Sequence, residues 1–281
     1  MDVPAKVGVL GGGTMGAGIA HAFVVSGSAV TLVERDDASV DAARGRIEKS
    51  ISRAAEKTGI DGAEALSRFT FTTDYAAFQE VELVVEAVPE DFNLKVSALS
   101  AVEAQLSASA WLTTNTSSLS ITNIAAELKN PERFCGLHFF NPVPQSALVE
   151  VVLAPKTSEE LAALASMWVR GLGKTPIVVN DAPGFASSRL GVAIALEAMR
   201  MLEEGVASAE DIDTAMVLGY RHAAGPLKTT DLVGLDVRLN IAEYLHANLG
   251  ERFAPPQILR DMVARGELGR KSGKGFFDYN D

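Results

Sequence analysis

The stretch at residues 6–23, KVGVLGGGTMGAGIAHAF, decides the fold of this chain. It begins with an apolar run typical of a buried strand, passes through a glycine turn and enters a helix near Thr14. Gly11, Gly13 and Gly16 match the pattern G-x-G-x-x-G, which allows a tight turn, a close approach of a pyrophosphate and close packing of helix on strand. This stretch therefore predicts a dinucleotide site at a helix N-terminus. The residues expected to form it are Gly11, Gly12, Gly13, Thr14, Met15 and Gly16.

An acidic residue at the end of the next apolar run indicates which dinucleotide binds. Glu34 lies 18 residues after Gly16 and follows the apolar residues 30–33. A carboxylate there can accept hydrogen bonds from an adenosine ribose and repels a 2′-phosphate, which favours NAD. Arg35 directly follows and is able to stack on adenine or to reach a 2′-phosphate, so NADP is the alternative cofactor.

The bulk composition limits the class of protein. A chain of 281 residues with 47% hydrophobic residues is long enough for two domains with substantial cores. The net charge of −11 argues against nucleic acid and against an anionic membrane surface as partners. The chain has no apolar run of 18 residues and no signal-peptide pattern, so we expect a cytoplasmic protein. The single cysteine, Cys135, lies in an apolar run and is expected to be a small buried hydrophobe.

Short apolar runs alternate with helical stretches as far as about residue 180. This alternation predicts an α/β fold of the Rossmann type, with a doubly wound, mostly parallel sheet and helices on both faces. The predicted strands are residues 6–10, 29–33, 69–72, 83–86, 111–114, 133–138, 149–153 and 175–179. The predicted helices of this part are residues 14–26, 39–57, 94–106, 121–128 and 159–172.

The pattern changes after residues 181–184 and becomes helical. We expect a dinucleotide-binding domain at residues 1–182 and a helical domain at residues 183–281. The first long helix of the second domain is apolar on much of its circumference, which indicates a domain-centre helix, a subunit interface or both. Predicted helices cover residues 185–204, 210–218, 235–249 and 257–265, and residues 275–279 are a possible strand.

Hydride transfer to a nicotinamide requires a proton acceptor, and the position of His138 makes it the candidate base. His138 ends an apolar strand and precedes a proline-rich segment, so it is expected at the ligand edge of the sheet. His21, His222 and His246 are expected to be packed or surface residues. Glu150 is either the solvated end of a strand or a carboxylate that orients the imidazole, and the sequence spacing leaves both open.

A polar cluster at residues 115–119, NTSSL, follows the strand WLTT. It can be a loop in which Ser120 caps the next helix, or a set of donors that face substrate and nicotinamide.

The glycine turn, the polar cluster, the His138 segment and several later motifs together resemble the 3-hydroxyacyl-CoA dehydrogenases, including the 3-hydroxybutyryl-CoA dehydrogenase branch. The motifs are GGGTMGAGIA (11–20), NTSSLSIT (115–122), GLHFFNPVP (136–144), LVEVV (148–152), APGF (182–185), ASAEDIDTAM (207–216), GPL (225–227), DLVGLD (231–236) and GRKSGKGFFDY (269–279).

The resemblance implies an NAD-binding domain, a helical C-terminal domain that forms a homodimer, and an acyl-CoA substrate. It implies that His138 takes the 3-hydroxyl proton, that Glu150 orients it, and that Ser117 bonds the reacting oxygen. No metal is expected. The implied NAD contacts outside the glycine turn are Glu34, Glu90, Lys95, Asn115, Asn141 and Lys271, and the implied CoA contacts are Ser50 and Lys57, which share one face of a helix.

Three departures from the family pattern concern the acyl portion of the substrate. Ser188 stands where the family has an asparagine; Ser146 and Ala147 replace methionine and lysine; Ala223 and Ala224 replace proline and methionine. These changes predict an acyl group other than plain 3-hydroxybutyryl. The alternatives are a gulonate-dehydrogenase-like enzyme acting on a free hydroxy acid, and a non-catalytic NAD-binding protein on the same fold.

Overall fold

A computed structural model describes residues 2–280 of the chain. The chain divides into two compact units, with the division between Ala182 and Pro183. The first unit is built on a mostly parallel sheet and the second is helical. Among the described residues, no helix is both long enough and apolar enough to span a membrane.

Within residues 2–182, the first unit contains one sheet of eight strands in the order β3-β2-β1-β4-β5-β6-β7-β8. Neighbouring strands are parallel except β6 and β7, which are antiparallel. The strands are β1 Lys6–Leu10, β2 Ala29–Val33, β3 Phe69–Thr72, β4 Leu83–Glu86, β5 Trp111–Thr114, β6 Phe134–Phe139, β7 Leu148–Leu153 and β8 Thr175–Asn180. The predicted fold class is confirmed, and each predicted strand end lies within one residue of the observed end.

In the described part of this unit, six α-helices accompany the sheet: α1 Thr14–Val25, α2 Asp37–Thr58, α3 Gly62–Ser67, α4 Phe92–Glu103, α5 Ile121–Ala126 and α6 Glu159–Gly171. The predicted N-cap at Ser120 is confirmed, since its side chain accepts a hydrogen bond from the backbone N–H of Asn123. Helix α3 was not predicted; it has only six residues and its N-cap is Asp61, whose side chain accepts from the N–H of Glu64. So short a helix presents no apolar periodicity to detect.

The antiparallel pairing of β6 and β7 sets the geometry of the site. The connecting segment, residues 140–147, is fastened by Lys174, whose Nζ donates to the carbonyl oxygens of Val143 and Ser146 at 2.6 Å each. In the resulting register His138 lies directly opposite Glu150. Directly opposed residues in an antiparallel pair project from the same face, so their side chains can meet.

Between residues 183 and 280, the second unit has five α-helices: α7 Ser187–Glu203, α8 Ala209–Thr214, α9 Pro226–Val233, α10 Leu235–Leu249 and α11 Gln257–Ala264. The predicted helix at residues 185–204 begins later, because Gly184 and Phe185 both have positive φ, at 75° and 47°. The possible strand at residues 275–279 was wrong, since Lys274 forms only isolated bridges, with Gly269 and Asp278. Helix α9 was not predicted either; its first N–H groups, at Leu227 and Lys228, donate to the distant carboxylate of Asp213.

Cys135 is fully buried in β6, which confirms the prediction that it packs as a small hydrophobe. Burial raises the pKa of its thiol to about 12. Because the thiolate is the reactive form, we expect the native protein to resist a disulfide-exchange reagent at pH 8 and to react fully once unfolded in guanidinium. Rapid labelling of the native protein in a colorimetric thiol assay would contradict this expectation.

Candidate active site

The glycine turn connects β1 to α1 and forms one wall of a cleft of about 800 Å³. Gly11 has φ of 90°, which permits the turn. A Cβ atom on Gly16 would lie 1.8 Å from the carbonyl oxygen of Gly11, whereas a Cβ atom on Gly13 would meet no atom within 4 Å. Gly16 is thus required for packing, and Gly13 leaves open space at the helix N-terminus, as an approaching pyrophosphate needs. The turn fits a dinucleotide.

These two glycines provide a matched test. We expect Gly16→Ala to lower the free energy of unfolding by about 1–3 kcal/mol, because the new Cβ atom collides with backbone. Gly13→Ala is expected to leave the melting temperature nearly unchanged but to weaken NAD binding, since only the open space is filled. Thermal unfolding and calorimetric titration with NAD separate the two effects. Equal stability of the two variants would show that the turn relaxes around Gly16.

Glu34 lies at the end of β2 and its carboxylate lines the cleft. Its Oε1 accepts from the backbone N–H of Gly12 at 2.6 Å, and its Oε2 accepts from the N–H of Arg35 at 3.1 Å. Arg46 of α2 also lines the cleft and donates from Nη1 to the carbonyl oxygen of Gly12 at 3.2 Å. The carboxylate is therefore held in place beside the glycine turn. Arg46 was not predicted as a site residue, because nothing in a helical run of charged residues marks the one that reaches the turn.

A buried ion pair supports the cleft wall at the end of β4. Lys95 is 1% exposed and its Nζ donates to Glu86 Oε1 at 2.7 Å and to the carbonyl of Val88 at 3.0 Å. Glu86 is fully buried and its Oε2 accepts from Thr114 Oγ1 at 2.5 Å. Burial raises the pKa of Glu86, although the charge of Lys95 and the hydrogen bonds act against this. Lys95, predicted as an NAD contact, lines the cleft but directs its ammonium to these protein groups.

Glu90 organises the polar loop that follows β5. Its Oε1 accepts from Thr116 Oγ1 at 2.6 Å and from the N–H groups of Ser117 and Ser118 at 2.9 and 3.1 Å. Its Oε2 lies 3.4 Å from Lys95 Nζ. Burial acts to raise the pKa of Glu90, but the Thr116 hydrogen bond and the Lys95 charge outweigh it and hold that pKa below its usual value. The carboxylate thus stays ionised and fixes the loop.

His138 and Glu150 form a buried pair. Nδ1 of His138 lies 2.7 Å from Oε2 of Glu150, and the two residues are 6% and 0% exposed. A carboxylate at Nδ1 favours the tautomer with the proton on that nitrogen, which puts the basic lone pair on Nε2. His138 lines the same cleft as the glycine turn, and the ring of Phe140 packs 4.5 Å from its ring. The pair has the geometry of a general base and its orienting acid.

The cleft brings together most of the residues expected to bind cofactor or to react. Asn115 lines it and accepts at Oδ1 from the N–H of Phe139 at 2.9 Å, which ties the ends of β5 and β6. Ser117 also lines it, with its hydroxyl donating to Glu90 Oε1 at 3.3 Å. The expected residues found in the lining are Gly11, Gly13, Thr14, Met15, Glu34, Glu90, Lys95, Asn115, Ser117, His138 and Asn141.

The two residues expected to contact CoA lie on α2. Ser50 Oγ lies 2.9 Å from Nδ1 of His21, and Lys57 is exposed in the last turn. His21 is 4% exposed, which confirms the expectation of a packed histidine. Burial, and then the charge of Lys174, lower the pKa of His21, so the imidazole is neutral.

Two of the expected site residues lie in the second unit. Lys271 pairs with Asp236 through contacts of 2.5 and 2.6 Å. Ser188 is the second residue of α7 and is partly buried. No role was predicted from the sequence for Asp236 or for the supporting residues Glu86 and Thr116. Of these three residues, only Glu86 had a signal in the sequence, because it lies at the end of a predicted strand.

A glycine turn on a parallel sheet, a carboxylate at the end of β2 and a histidine–glutamate pair in the same cleft define a nicotinamide-dependent dehydrogenase. The family model described as "3-hydroxyacyl-CoA dehydrogenase, NAD binding domain" matches residues 6–182, and "3-hydroxyacyl-CoA dehydrogenase, C-terminal domain" matches residues 184–279. The chain belongs to the 3-hydroxyacyl-CoA dehydrogenase family. The resemblance seen in the sequence is thereby confirmed.

Relatives match over the whole chain. A protein of Deinococcus radiodurans named "Probable 3-hydroxybutyryl-CoA dehydrogenase" is 42% identical over 277 residues, covering 98% of this chain and 100% of the relative. The crystal structure of (S)-3-hydroxybutyryl-CoA dehydrogenase from Ralstonia eutropha is 38% identical with a TM-score of 0.94, covering 99% of this chain and 100% of that one. The crystal structure of Mycobacterium tuberculosis FadB2 is 41% identical with a TM-score of 0.91, covering 99% of each chain.

Proposed function

We propose that this protein oxidises a 3-hydroxyacyl-CoA to the 3-oxoacyl-CoA with NAD, and catalyses the reverse reduction. The observation that supports this most directly is the buried His138–Glu150 pair, 2.7 Å apart, in the cleft that contains the glycine turn. Relatives over the full length are named 3-hydroxybutyryl-CoA dehydrogenases. NAD, when bound, supplies the acceptor for the hydride that leaves C3.

The protein's own part in the reaction is to move one proton. Nε2 of His138 accepts the proton of the 3-hydroxyl group as the C3–O bond becomes a carbonyl. The imidazole then carries a positive charge, which the buried Glu150 carboxylate stabilises at 2.7 Å. In the reverse direction the same imidazolium returns the proton to oxygen.

Ser117 is proposed to donate its hydroxyl hydrogen to the reacting oxygen. In the structure this hydroxyl bonds Glu90 over 3.3 Å, a long and replaceable hydrogen bond. The shorter bonds from Thr116 Oγ1 and the Ser117 N–H keep the loop in place when the hydroxyl turns. Ser188, in the position of the family asparagine, is proposed as a second polar group of the reaction site.

The remaining proposed contacts divide between the two nucleotides. On the NAD side they are the glycine turn, Glu34, Asn115, Asn141 and Lys271, while Lys95 acts by holding Glu90. On the CoA side, Ser50 and Lys57 lie two turns apart on α2. His21 holds the Ser50 hydroxyl in a defined direction.

Glu34 is expected to set the choice between NAD and NADP. Glu34→Ala removes the carboxylate that excludes a 2′-phosphate, and it leaves Arg35 and Arg46 beside the site. We expect the ratio of kcat/KM for NAD over NADP to fall by roughly 10- to 150-fold, the value of a hydrogen bond to a charged group. Steady-state kinetics with both cofactors measures the ratio. Glu34→Gln loses the charge but keeps an acceptor for the Gly12 N–H, so it controls for loss of that hydrogen bond. An unchanged ratio in both variants would show that Glu34 does not select the cofactor.

The proposed function is tested by following NADH formation with CoA esters and free acids in parallel. Turnover of 3-hydroxybutyryl-CoA or longer 3-hydroxyacyl-CoA esters, with none for the free acids, is the expected result. Turnover of free hydroxy acids alone would favour the gulonate-type alternative. NAD binding without turnover across the panel would favour a non-catalytic protein.

We further propose that the protein is a homodimer through its second unit. Helix α7 exposes Leu190 and Ile194, and the neighbouring α9 and α10 expose Leu232, Val233 and Val237. Large apolar residues concentrated on adjacent helices mark an interaction surface. Sedimentation velocity of the wild type and of Leu190→Glu tests this, with dissociation of the variant as the expected result.

A further inference from the structure

A tyrosine without a predicted role lines the cleft that also contains Glu34. Tyr75 begins a 3-10 turn, Tyr75–Phe78, whose N-cap residue Asp74 accepts from the N–H of Ala76 at 2.8 Å. This turn packs against β2, the strand that Glu34 follows, and against α4. Tyr75 therefore lies where the Glu34 end of the cleft meets the wall supplied by α4.

Phe78 fixes the direction of the Tyr75 ring. The two ring centroids lie 6.2 Å apart at an interplanar angle of 85°, an edge-to-face contact, and Phe78 is fully buried. Tyr75 is only partly buried, and its hydroxyl forms no hydrogen bond within residues 2–280. Burial, and then the charge of Glu34, raise the pKa of Tyr75, so the phenol keeps its proton. The cleft therefore contains an oriented, neutral aromatic ring with part of its surface uncovered.

Apolar side chains of the α4 wall border the same cleft. Leu94 and Ala98 lie one turn apart on α4, and both line the cleft together with Val88. Leu94 remains 44% exposed, so the cleft offers apolar surface that the described residues do not cover. Ligand pockets combine such apolar and aromatic surface with a few placed polar groups, and here the Glu34 carboxylate is such a group. Tyr75, Val88, Leu94 and Ala98 form the apolar compartment of the cleft.

We propose that the apolar compartment receives the adenine ring of NAD and that Tyr75 packs against that ring. The proposal rests on the proposed function and adds a residue that determines cofactor affinity. With the pyrophosphate at the glycine turn and the ribose at Glu34, the base attached to that ribose extends past Glu34, where Tyr75 lies. Adenine is planar, and an aromatic side chain stacks on such a base without a charged group.

Tyr75 is remote from the proposed reaction site. Strands β1, β4 and β5 separate β2 from β6, the strand of His138. Four strand spacings of about 4.8 Å place β2 and β6 roughly 19 Å apart. Loss of the Tyr75 ring should therefore weaken cofactor binding and leave the chemical step unchanged.

The experiment measures the Kd of NAD and of ADP-ribose by calorimetry, since ADP-ribose carries the adenine and lacks the nicotinamide. We expect Tyr75→Ala to raise both Kd values by roughly 5- to 150-fold, the usual contribution of a base stacked on an aromatic side chain. Tyr75→Phe keeps the ring and should bind both ligands as the wild type does. The kcat at saturating NAD should be the same in all three proteins. Gln79→Ala, which alters the exposed residue at the end of the same turn, is the control and should keep the wild-type Kd values.

A further variant keeps the test decisive if Tyr75→Ala lowers the melting temperature of the free protein. Tyr75→Leu retains apolar bulk without the aromatic ring, and it should bind ADP-ribose more weakly than Tyr75→Phe. Equal Kd values for these two variants would overturn the inference. A loss in Tyr75→Phe as large as that in Tyr75→Ala would also overturn it, because the hydroxyl and not the ring would then be the contact. Failure of the wild type to bind either ligand would contradict the use of NAD itself, whereas an active dehydrogenase unaffected by Tyr75→Ala would defeat only this inference.

Discussion

His138→Gln is expected to lower kcat for a 3-hydroxyacyl-CoA by roughly 10²–10⁴-fold, the usual contribution of a general base, while the Kd for NAD stays unchanged. The amide of glutamine can still donate a hydrogen bond to Glu150, so the buried carboxylate keeps a partner. It cannot take up the hydroxyl proton at neutral pH. The loss should therefore appear in the chemical step, and single-turnover measurement of NADH formation isolates that step.

A second histidine serves as the control for this variant. His246 lies on α10 and its Nε2 pairs with Glu251 at the surface, 3.1 Å away. His246→Gln should retain wild-type kcat and the same melting temperature. A general base contributes at least about 100-fold to kcat. If His138→Gln lowers kcat by less than about 10-fold, another group therefore transfers the proton.

The parts of the fold that local sequence governs were predictable. Short runs of four to six residues between helical stretches located all eight strands. The signal is clearest for central strands such as β4 and β6, which are buried on both faces and read as continuous hydrophobic segments. The glycine turn and Glu34 could be placed because a G-x-G-x-x-G pattern constrains the backbone around it. Helices α3 and α9 were not predicted, because helices of six and eight residues show little apolar periodicity.

The pairings within the site could not be predicted, because they depend on contacts between distant parts of the chain. From sequence spacing, Glu150 could be a solvated strand end or the partner of His138. The antiparallel register of β6 and β7, which places Glu150 opposite His138, favours the second role. The family resemblance implied that Lys95 contacts NAD, whereas in the fold its buried ammonium pairs with Glu86 and Glu90 in the cleft wall. Ser50 was identified on α2, whereas its partner His21 comes from another helix.

The supporting residues show how the cleft is organised before ligands bind. Lys95 joins Glu86 to Glu90, and Glu90 in turn fixes Thr116 and the amide of Ser117. On the other side Glu34 fixes Gly12, and Asn115 fixes the strand that bears His138. Polar groups fixed in this way need little reorganisation during a reaction, which is the main source of electrostatic catalysis.

The role of Glu150 gives the second prediction with a large effect. Glu150→Gln is expected to lower kcat by roughly 10²–10⁴-fold although the side chain keeps its size. The amide that replaces the carboxylate can donate to Nδ1, which moves the imidazole proton to Nε2 and removes the base. It also lacks the charge that stabilises the imidazolium at 2.7 Å.

A double variant separates this role from simple loss of structure. If Glu150 acts only through His138, the variant carrying both His138→Gln and Glu150→Gln should be no slower than His138→Gln alone, because residues that act as a unit are not additive. Glu132→Gln, an exposed glutamate in the turn before β6, should behave as the wild type. Melting temperatures of all four variants exclude unfolding as the cause. Multiplicative losses in the double variant would mean that Glu150 contributes independently of His138, and the proposed pair would then have to be abandoned.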